Sequence, residues 1–405
     1  MANKPQILIL GGGYAGVTAA IRLRRLVTSG KAQITLVNNH NYHYLTTLLH
    51  HPTIWNTALE EVSVYLPRLL SPQIGVLRGI VQTIDPQAHQ VEVKTRGETK
   101  ALTYDALIIA LGWEPQFYEI EGLQEHALVL HDLSSAHLIH SRIELAMVAY
   151  DENPDQHWCT HILIGGGGFT GVELAGEMVD WRPRLAKTFD LDPKEIHITV
   201  VEGAETILPG FDPLLIKQAT NTLTRKGVEL ITGALISRVE SHCVVLGNDQ
   251  RLEAGVIIWA GGVRGHHLVE QSGFAVNRQG RAYVNELLQA RDHPDVYIIG
   301  DCSLFVDDQG RPLPSTAQIA FQQGYWAARN LSRQLADRAP EPFRPKRLGT
   351  FLSLGHKDAL GVLNLGGFGL HFSGWAARTL KNLIGYRYLW GLGGPRLMMR
   401  KMLKR

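Results

Sequence analysis

Hydrophobic positions along this chain fall into three patterns. Ile7-Leu8-Ile9-Leu10, Leu107-Ile108-Ile109-Ala110, Ile162-Leu163-Ile164, Ile257-Ile258-Trp259 and Val296-Tyr297-Ile298-Ile299 are short unbroken apolar runs. Such runs predict strands covered on both faces, as in a parallel sheet. Residues 74–96 alternate apolar and polar instead, which predicts strands of a covering β-layer. The third pattern is helical: Val17, Ile21 and Leu26 share one side of a helix over 14–28, with Arg22, Arg24 and Arg25 on the other. Strands over 6–10, 33–37, 104–112, 196–201, 256–262 and 295–301 alternate with helical stretches, and the fold class is α/β.

Two strands run straight into glycine-rich turns that open helices. In Gly11-Gly12-Gly13-Tyr14-Ala15-Gly16, the first glycine permits the tight turn and Gly13 lets the backbone approach a pyrophosphate. Gly16 lets the helix pack on the strand. Gly165-Gly166-Gly167-Gly168-Phe169-Thr170-Gly171 repeats the spacing at Gly166, Gly168 and Gly171, before a helix from Val172 to about Val179. One such motif is a weak signal; two in one chain imply two dinucleotides. After the second strand of each unit stands the residue that binds ribose hydroxyls, Asn38 in the first and Glu202 in the second. A carboxylate at 202 repels a 2′-phosphate and no Arg follows it closely, so NADH is favoured over NADPH. Thr46 and Thr47 lie in a polar segment expected to line a cofactor. Ala110 and Gly112 end a strand passing close to a nucleotide. Gly300 and Asp301 end another, with Asp301 aimed at sugar-like hydroxyls or serving as a helix N-cap.

Composition changes this picture at the C-terminus. The 405 residues carry a formal charge of +2, but no Asp or Glu follows Asp358. Eight Lys and Arg lie beyond it, leaving 32 basic against 38 acidic residues in residues 1–358. Trp375, Thr379, Leu380, Leu383 and Ile384 recur at helical spacing, with Arg378 and Lys381 outside that stripe. After Gly393-Gly394-Pro395, a short helix would carry Met398, Met399, Met402 and Leu403 on one side and Arg396, Arg400 and Lys404 on another. A basic amphipathic segment of this kind seats in an anionic membrane interface. Its Trp and Met content points to lipid, and no nucleic-acid partner is expected. No apolar run reaches spanning length, and a strand beginning at residue 6 leaves no room for a signal peptide. Cys159, Cys243 and Cys302 are far apart, with no C-x-x-C and no zinc spacing, so no metal is expected and a reducing compartment is the default.

Together, GGGYAG, the Ala110-Leu111-Gly112 strand end, GGGFTG and Ile298-Ile299-Gly300-Asp301 resemble the flavoproteins with two dinucleotide-binding domains. In that family the first glycine motif and the Gly-Asp motif bind FAD non-covalently, and the second motif binds NAD(P)H. Pro314-Ser315-Thr316-Ala317-Gln318-Ile319-Ala320-Phe321-Gln322 resembles the AQ-x-A-x-Q motif of type II NADH:quinone oxidoreductases. So do the stretch 353–359 and the acid-free tail. The resemblance implies two Rossmann-like domains plus a C-terminal amphipathic membrane-binding segment. FAD would be held by Gly11, Gly13, Tyr14, Ala15, Gly16, Asn38, Thr46, Thr47, Ala110, Gly112, Gly300, Asp301, Ala317 and Gln318. NADH would be held by Gly166, Gly168, Phe169, Thr170, Gly171, Glu173, Glu202 and Gly262. Glu173, Gln318 and Gln322 would act at the reacting ring and the quinone.

The implied domains are residues 1–125 and 285–350 for FAD, 126–284 for NADH, and 351–405 for membrane association. The implied activity passes hydride from NADH to FAD and two electrons on to a membrane quinone, without proton pumping. The expected setting is peripheral, on the cytoplasmic face of the cell membrane, with a homodimer as a second use of the tail. Two other readings stay open on sequence. A sulfide:quinone reductase needs several cysteines near the flavin, and Cys159 leaves room for it. A regulatory protein binding both dinucleotides could use the basic tail to hold a partner.

Overall fold

The computed structural model describes residues 4–27, 30–54, 57–70, 72–365 and 368–403. Two parallel sheets organise them. The first runs, edge to edge, through Gln289–Ala290, His293–Ile298, Ala106–Ile109, Gln6–Leu10, Gln33–Asn38 and Gly75–Arg78. Ile7 pairs with Ala106 on one side and Ile34 on the other, so the glycine-motif strand is central. The second sheet runs Leu128–Val129, Val256–Trp259, His161–Gly165, His197–Val201, Glu229–Ile231, all parallel. Its glycine-motif strand is central in the same way. Ile7 and Ile9 face one buried layer and Leu8 and Leu10 another, which is why the strand needs no polar position.

Strand order reverses beside each glycine turn, so both turns open onto the carboxyl edge of their sheets at a switch point. An antiparallel pair, Trp113–Pro115 with Val263–Gly265, joins the two units. Leu268, Val269, Phe274 and Ala282 pack beneath the first sheet with Leu8 and Leu10. Residues within 266–284 thus contribute to the core of the first unit.

Three expectations are corrected. Within 74–96, Gly75–Arg78 joins the parallel sheet, and the covering layer is Ile80–Asp85, Gln90–Lys94 and Thr99–Thr103. The helix after the second glycine motif spans Phe169–Thr188, continuing past Pro183 because Trp181, Leu185 and Ala186 bury themselves in the second core. Tertiary burial overrides the local cost of proline. The first helix is Tyr14–Leu26, and residue 28 lies outside the described residues.

The C-terminal region is not a separate appendage. Gly349–Ser353, Ala359–Leu365 and Phe368–Ser373 form an antiparallel meander. Leu352, Leu354, Leu360 and Val362 join the core of the second unit. The helix Gly374–Met402 follows, kinked at Gly393 and Gly394, which leave helical geometry before Pro395. Its side chains reach both units, Tyr388 meeting His43 of the first and Lys381 meeting Glu173 of the second. Among the described residues no helix is long and apolar enough to cross a membrane.

Candidate functional site

The two glycine turns are built alike. Gly11 has φ +103°, and a Cβ there would lie 2.1 Å from the Ala110 carbonyl oxygen; Gly166 has φ +112°, and a Cβ there would lie 2.5 Å from the Ala260 carbonyl carbon. A Cβ on Gly16 would lie 2.0 Å from Gly11 O, and one on Gly171 would lie 1.9 Å from Gly166 O. Those positions are closed by the protein itself. Gly13 and Gly168 differ, since a Cβ on either would meet nothing within 4 Å. Each caps a helix without any side-chain hydrogen bond, leaving first-turn amides available to an anion. The open positions and bare helix ends fit a pyrophosphate at both turns.

Asn38 and Glu202 are structural equivalents with a duty the sequence does not reveal. Asn38 Oδ1 accepts from Gly12 N at 2.8 Å, and its amide donates to the carbonyls of His40 and Tyr42. Its hydrogen bonds hold the turn, a duty beside the expected one toward ribose. Glu202 Oε2 accepts from Gly167 N at 2.6 Å and Oε1 from Ala204 N at 2.8 Å. As a half-buried carboxylate it keeps lone pairs for a ribose as well.

Around the first turn the chain gathers most of the residues expected there. A Cβ on Gly300 would lie 3.2 Å from the Ala15 methyl, so the Gly300-Asp301 turn abuts the first helix. Burial pushes the Asp301 carboxyl up to about 6 against the opposing pull of Arg281. Gln323, which sequence reasoning missed, is buried and accepts from Gly300 N at 2.7 Å and from Ser303 Oγ at 3.2 Å. Gly112 O accepts from Cys302 Sγ at 3.0 Å. Thr46 and Thr47 are exposed in a short turn, and Thr47 Oγ1 is 3.0 Å from the Tyr14 hydroxyl. Phe169 packs at a tilt against Phe211 and Thr170 is exposed, while Gly262 lies under Tyr118 and accepts from Gln116 N.

The glutamine helix is Ala317–Gln334, capped by Thr316. Gln318 and Gln322 do share a face, yet their amides differ in duty. Gln322 accepts from Lys346 N at 2.7 Å and donates to Lys346 O at 3.0 Å, pairing with that backbone as another strand would. Its amide thus clamps the chain at Lys346, a duty beside the expected one toward quinone. Gln318 makes one long contact, Leu348 N to Oε1 at 3.4 Å.

The tail supplies what the sequence left hidden. Tyr388 donates its hydroxyl hydrogen to His43 Nε2 at 2.8 Å, while His43 Nδ1–H donates to Gly12 O at 2.9 Å. The carbonyl can only accept, so it fixes the tautomer, and burial pushes His43 down to about 4, keeping it neutral. The Tyr388 ring also lies 4.8 Å from Tyr14 and 5.9 Å from Phe321. Seven residues earlier, Lys381 Nζ sits 2.5 Å from Glu173 Oε1, which also accepts from Ser353 N at 2.8 Å. One face of the tail helix thus ties the first turn to the second unit. Lys401 is only 2% exposed and donates to the carbonyls of Glu60 and Ser63. Two of the tail's cations are therefore spent inside the protein. The signal that could have found this face is the i, i+7 spacing of Lys381 and Tyr388.

The rest of the helix surface bears exposed Trp375 (79%), Leu383, Ile384 and Trp390, with Met399, Met402 and Leu403 (84%) beyond the kink. Arg396 and Arg400 are exposed beside them. Leu380 and Thr379 are half-buried, and Met398 turns inward against the cluster of Leu45, Val64 and Leu389, which splits the expected apolar side. Lys404 lies outside the described residues.

All three cysteines are buried free thiols, and burial pushes Cys302 up to about 12. Cys159 precedes the strand whose far end carries the second glycine turn, so it sits at the wrong edge for flavin chemistry.

Comparison with known proteins agrees with this architecture. Residues 5–324 match the family described as pyridine nucleotide-disulphide oxidoreductase. The chain is 34% identical to proteins named type II NADH:quinone oxidoreductase from Staphylococcus epidermidis and Staphylococcus aureus, with 98% of each chain covered. Among solved structures, NDH2 from Plasmodium falciparum in complex with NADH superposes with a TM-score of 0.85 at 18% identity, covering 99% of this chain and 98% of that one. The sulfide:quinone oxidoreductase of Aquifex aeolicus gives 0.79 at 19% identity, covering 96% and 91%. Those two likenesses concern the fold.

Proposed function

Because the chain belongs to the type II NADH:quinone oxidoreductases within the pyridine nucleotide-disulphide oxidoreductase family, we infer that its two glycine turns serve one redox reaction. The protein is an FAD-dependent NADH:quinone oxidoreductase. FAD, when bound, would supply a ring able to accept hydride from NADH and to pass two electrons to a quinone.

The protein's own part is to bind and orient. The open Gly13 and Gly168 positions support a pyrophosphate at each turn: FAD at the first, with Asp301 toward its sugar-like chain, and NADH at the second, with Glu202 toward its ribose. The observation that carries the quinone side is the tail helix, which brings Lys381 to Glu173 and Tyr388 to Tyr14. Those side chains, with Gln318, border the mouth through which a quinone would reach the ring. Gln318 orients it, and Glu173, charge-paired with Lys381, borders the reacting oxygens.

The exposed apolar face of the tail helix, flanked by Arg396 and Arg400, is suited to an anionic membrane surface, where quinones dissolve. We read the protein as peripheral, on the cytoplasmic face, in keeping with its free thiols. A homodimer through part of the same face is the competing use. Sedimentation without lipid separates the two.

The test is a pair of half-reactions. Purified protein should be yellow, bleach with NADH and regain colour with a soluble quinone. Gln318→Ala should slow the second step by about tenfold or more, the loss of an orienting hydrogen bond. Unaltered quinone reoxidation in that variant would remove Gln318 from the site.

A further inference from the structure

One buried cluster is not used by the roles above. Glu177 lies one helical turn beyond Glu173 on the same face of Phe169–Thr188, and it is 1% exposed. Its Oε1 accepts from Ser353 Oγ at 3.2 Å; its Oε2 is buried with no hydrogen-bond partner. A bare buried carboxylate oxygen is costly, whereas a protonated carboxyl carries no charge to strand there.

His50 lies between the two carboxyls. Its Nδ1 is 3.6 Å from Glu173 Oε2 and its Nε2 is 3.9 Å from Glu177 Oε1. The His51 ring sits 4.4 Å from the His50 ring, and it alone of these groups opens from the cluster as a half-buried imidazole. Ligand atoms of His50, His51 and Glu177 all fall within 4.8 Å of one another. Leu49 and Ile54, which flank the two histidines, are fixed in the core of the second unit, so the pair is held rigidly against the glutamates.

We propose that His51, Glu177 and His50 form a proton-supply line that starts at the half-buried His51 and ends at Glu173. The reaction requires such a line. NADH supplies two electrons and one proton as hydride, while a quinol needs two electrons and two protons, so one proton per turnover comes from water. Glu177 gives its carboxyl proton to His50 Nε2. His50 releases its Nδ1 proton to Glu173 Oε2, and Glu173 passes that proton to a quinone oxygen. Water reprotonates Glu177 through His51, and no electrons move in the line. The 3.6 and 3.9 Å gaps need closing by less than about 1 Å to reach hydrogen-bonding distance, an ordinary adjustment for a site without its substrate.

The charges around Glu177 support its holding a proton. Burial pushes it up to about 7, while the Ser353 hydrogen bond and the Lys381 ammonium pull down and Glu173 and Asp180 push up. Asp180 is itself paired with Lys226, which also reaches Asp358. A carboxyl poised near neutrality both gives and regains a proton readily.

This inference rests on Glu173 facing the quinone, and the experiment separates the two claims. Enzyme bleached with NADH is mixed with a soluble quinone between pH 5.5 and 9, and reoxidation is followed in wild type, Glu173→Gln, Glu177→Gln, Glu177→Asp and His50→Gln. Flavin content and melting temperature certify folding. Expected are a slowing by Glu177→Gln and His50→Gln of at least tenfold more in reoxidation than in bleaching, partial recovery in Glu177→Asp, and loss of the alkaline limb near pH 7 in Glu177→Gln. Infrared titration of the flavin-loaded protein should show a protonated carboxyl that disappears near pH 7 in wild type and is absent from Glu177→Gln. If Glu173→Gln slows reoxidation and the Glu177 and His50 variants do not, the supply line is wrong. If Glu173→Gln has no effect, the quinone-site reading itself has failed. Stoichiometric zinc in purified protein, lost on substituting His51, would also overturn the proposal by making the cluster a metal site.

Discussion

Gly168 and Gly171 lie three residues apart in one turn, and alanine at each should fail differently. A Cβ on Gly171 would sit 1.9 Å from Gly166 O, about 1.3 Å inside an ordinary contact, with backbone on the other side. The helix must move off the strand, at about 1–3 kcal/mol for overpacking. Gly168→Ala meets no protein atom within 4 Å, and its φ of −71° is acceptable to alanine. Replacing a glycine cap by alanine costs only about 1 kcal/mol or less. Bound NADH changes that balance. A methyl at 168 fills the space the pyrophosphate needs, and losing one charge-assisted amide contact costs about 1.5–3 kcal/mol, or roughly 10- to 150-fold in affinity. The assay is NADH titration by flavin bleaching, beside thermal unfolding and flavin content. Gly168→Ala should keep its melting temperature within a few degrees and its full flavin content while NADH affinity falls more than tenfold. Gly171→Ala should lose both stability and NADH affinity. Wild-type affinity in Gly168→Ala would refute the reading of the open position as a phosphate seat.

Three other outcomes follow from the geometry. Between pH 6.5 and about 4 the unfolded chain protonates His43 and the folded one resists it, so stability present above pH 6.5 should fall by about 3 kcal/mol over that range. Glu177 and Asp301, pushed up to about 7 and about 6, act in the opposite sense, so the test is the difference between wild type and His43→Gln in chemical denaturation at each pH. Trp375→Ser with Leu383→Ser and Trp390→Ser should abolish sedimentation with anionic vesicles while leaving reduction of a soluble quinone intact. Deleting the helix is the poorer experiment, because it also removes Lys381, Tyr388 and Lys401 from the interior. Glu202→Gln keeps an acceptor for Gly167 N but loses the charge that repels a 2′-phosphate. The preference for NADH over NADPH, read from kcat/KM, should narrow by about tenfold, near 1.4 kcal/mol; an unchanged ratio would mean that another group sets it.

Much of this protein is decided by local sequence. Unbroken apolar runs require strands covered on both faces, and glycines three and five positions apart require a turn whose backbone packs on itself. Those two facts yield two parallel sheets, two nucleotide seats and their chain order. What sequence left undecided are partnerships across hundreds of residues. Asn38 read as a ribose ligand because its position said so, and only the folded turn shows its oxygen on Gly12 N. Gln322 read as a substrate ligand because its stretch resembles the AQ-x-A-x-Q motif, and only the fold shows its amide paired with the Lys346 backbone. Lys381 and Lys401 counted in the sequence only toward a basic tail. The helix is amphipathic in two directions, and only its packing across both units tells which cations turn inward. Local periodicity fixes the elements and the faces they present; which group meets Glu173 or Gly12 depends on contacts between residues remote in sequence, and these exist only once the chain has closed on itself.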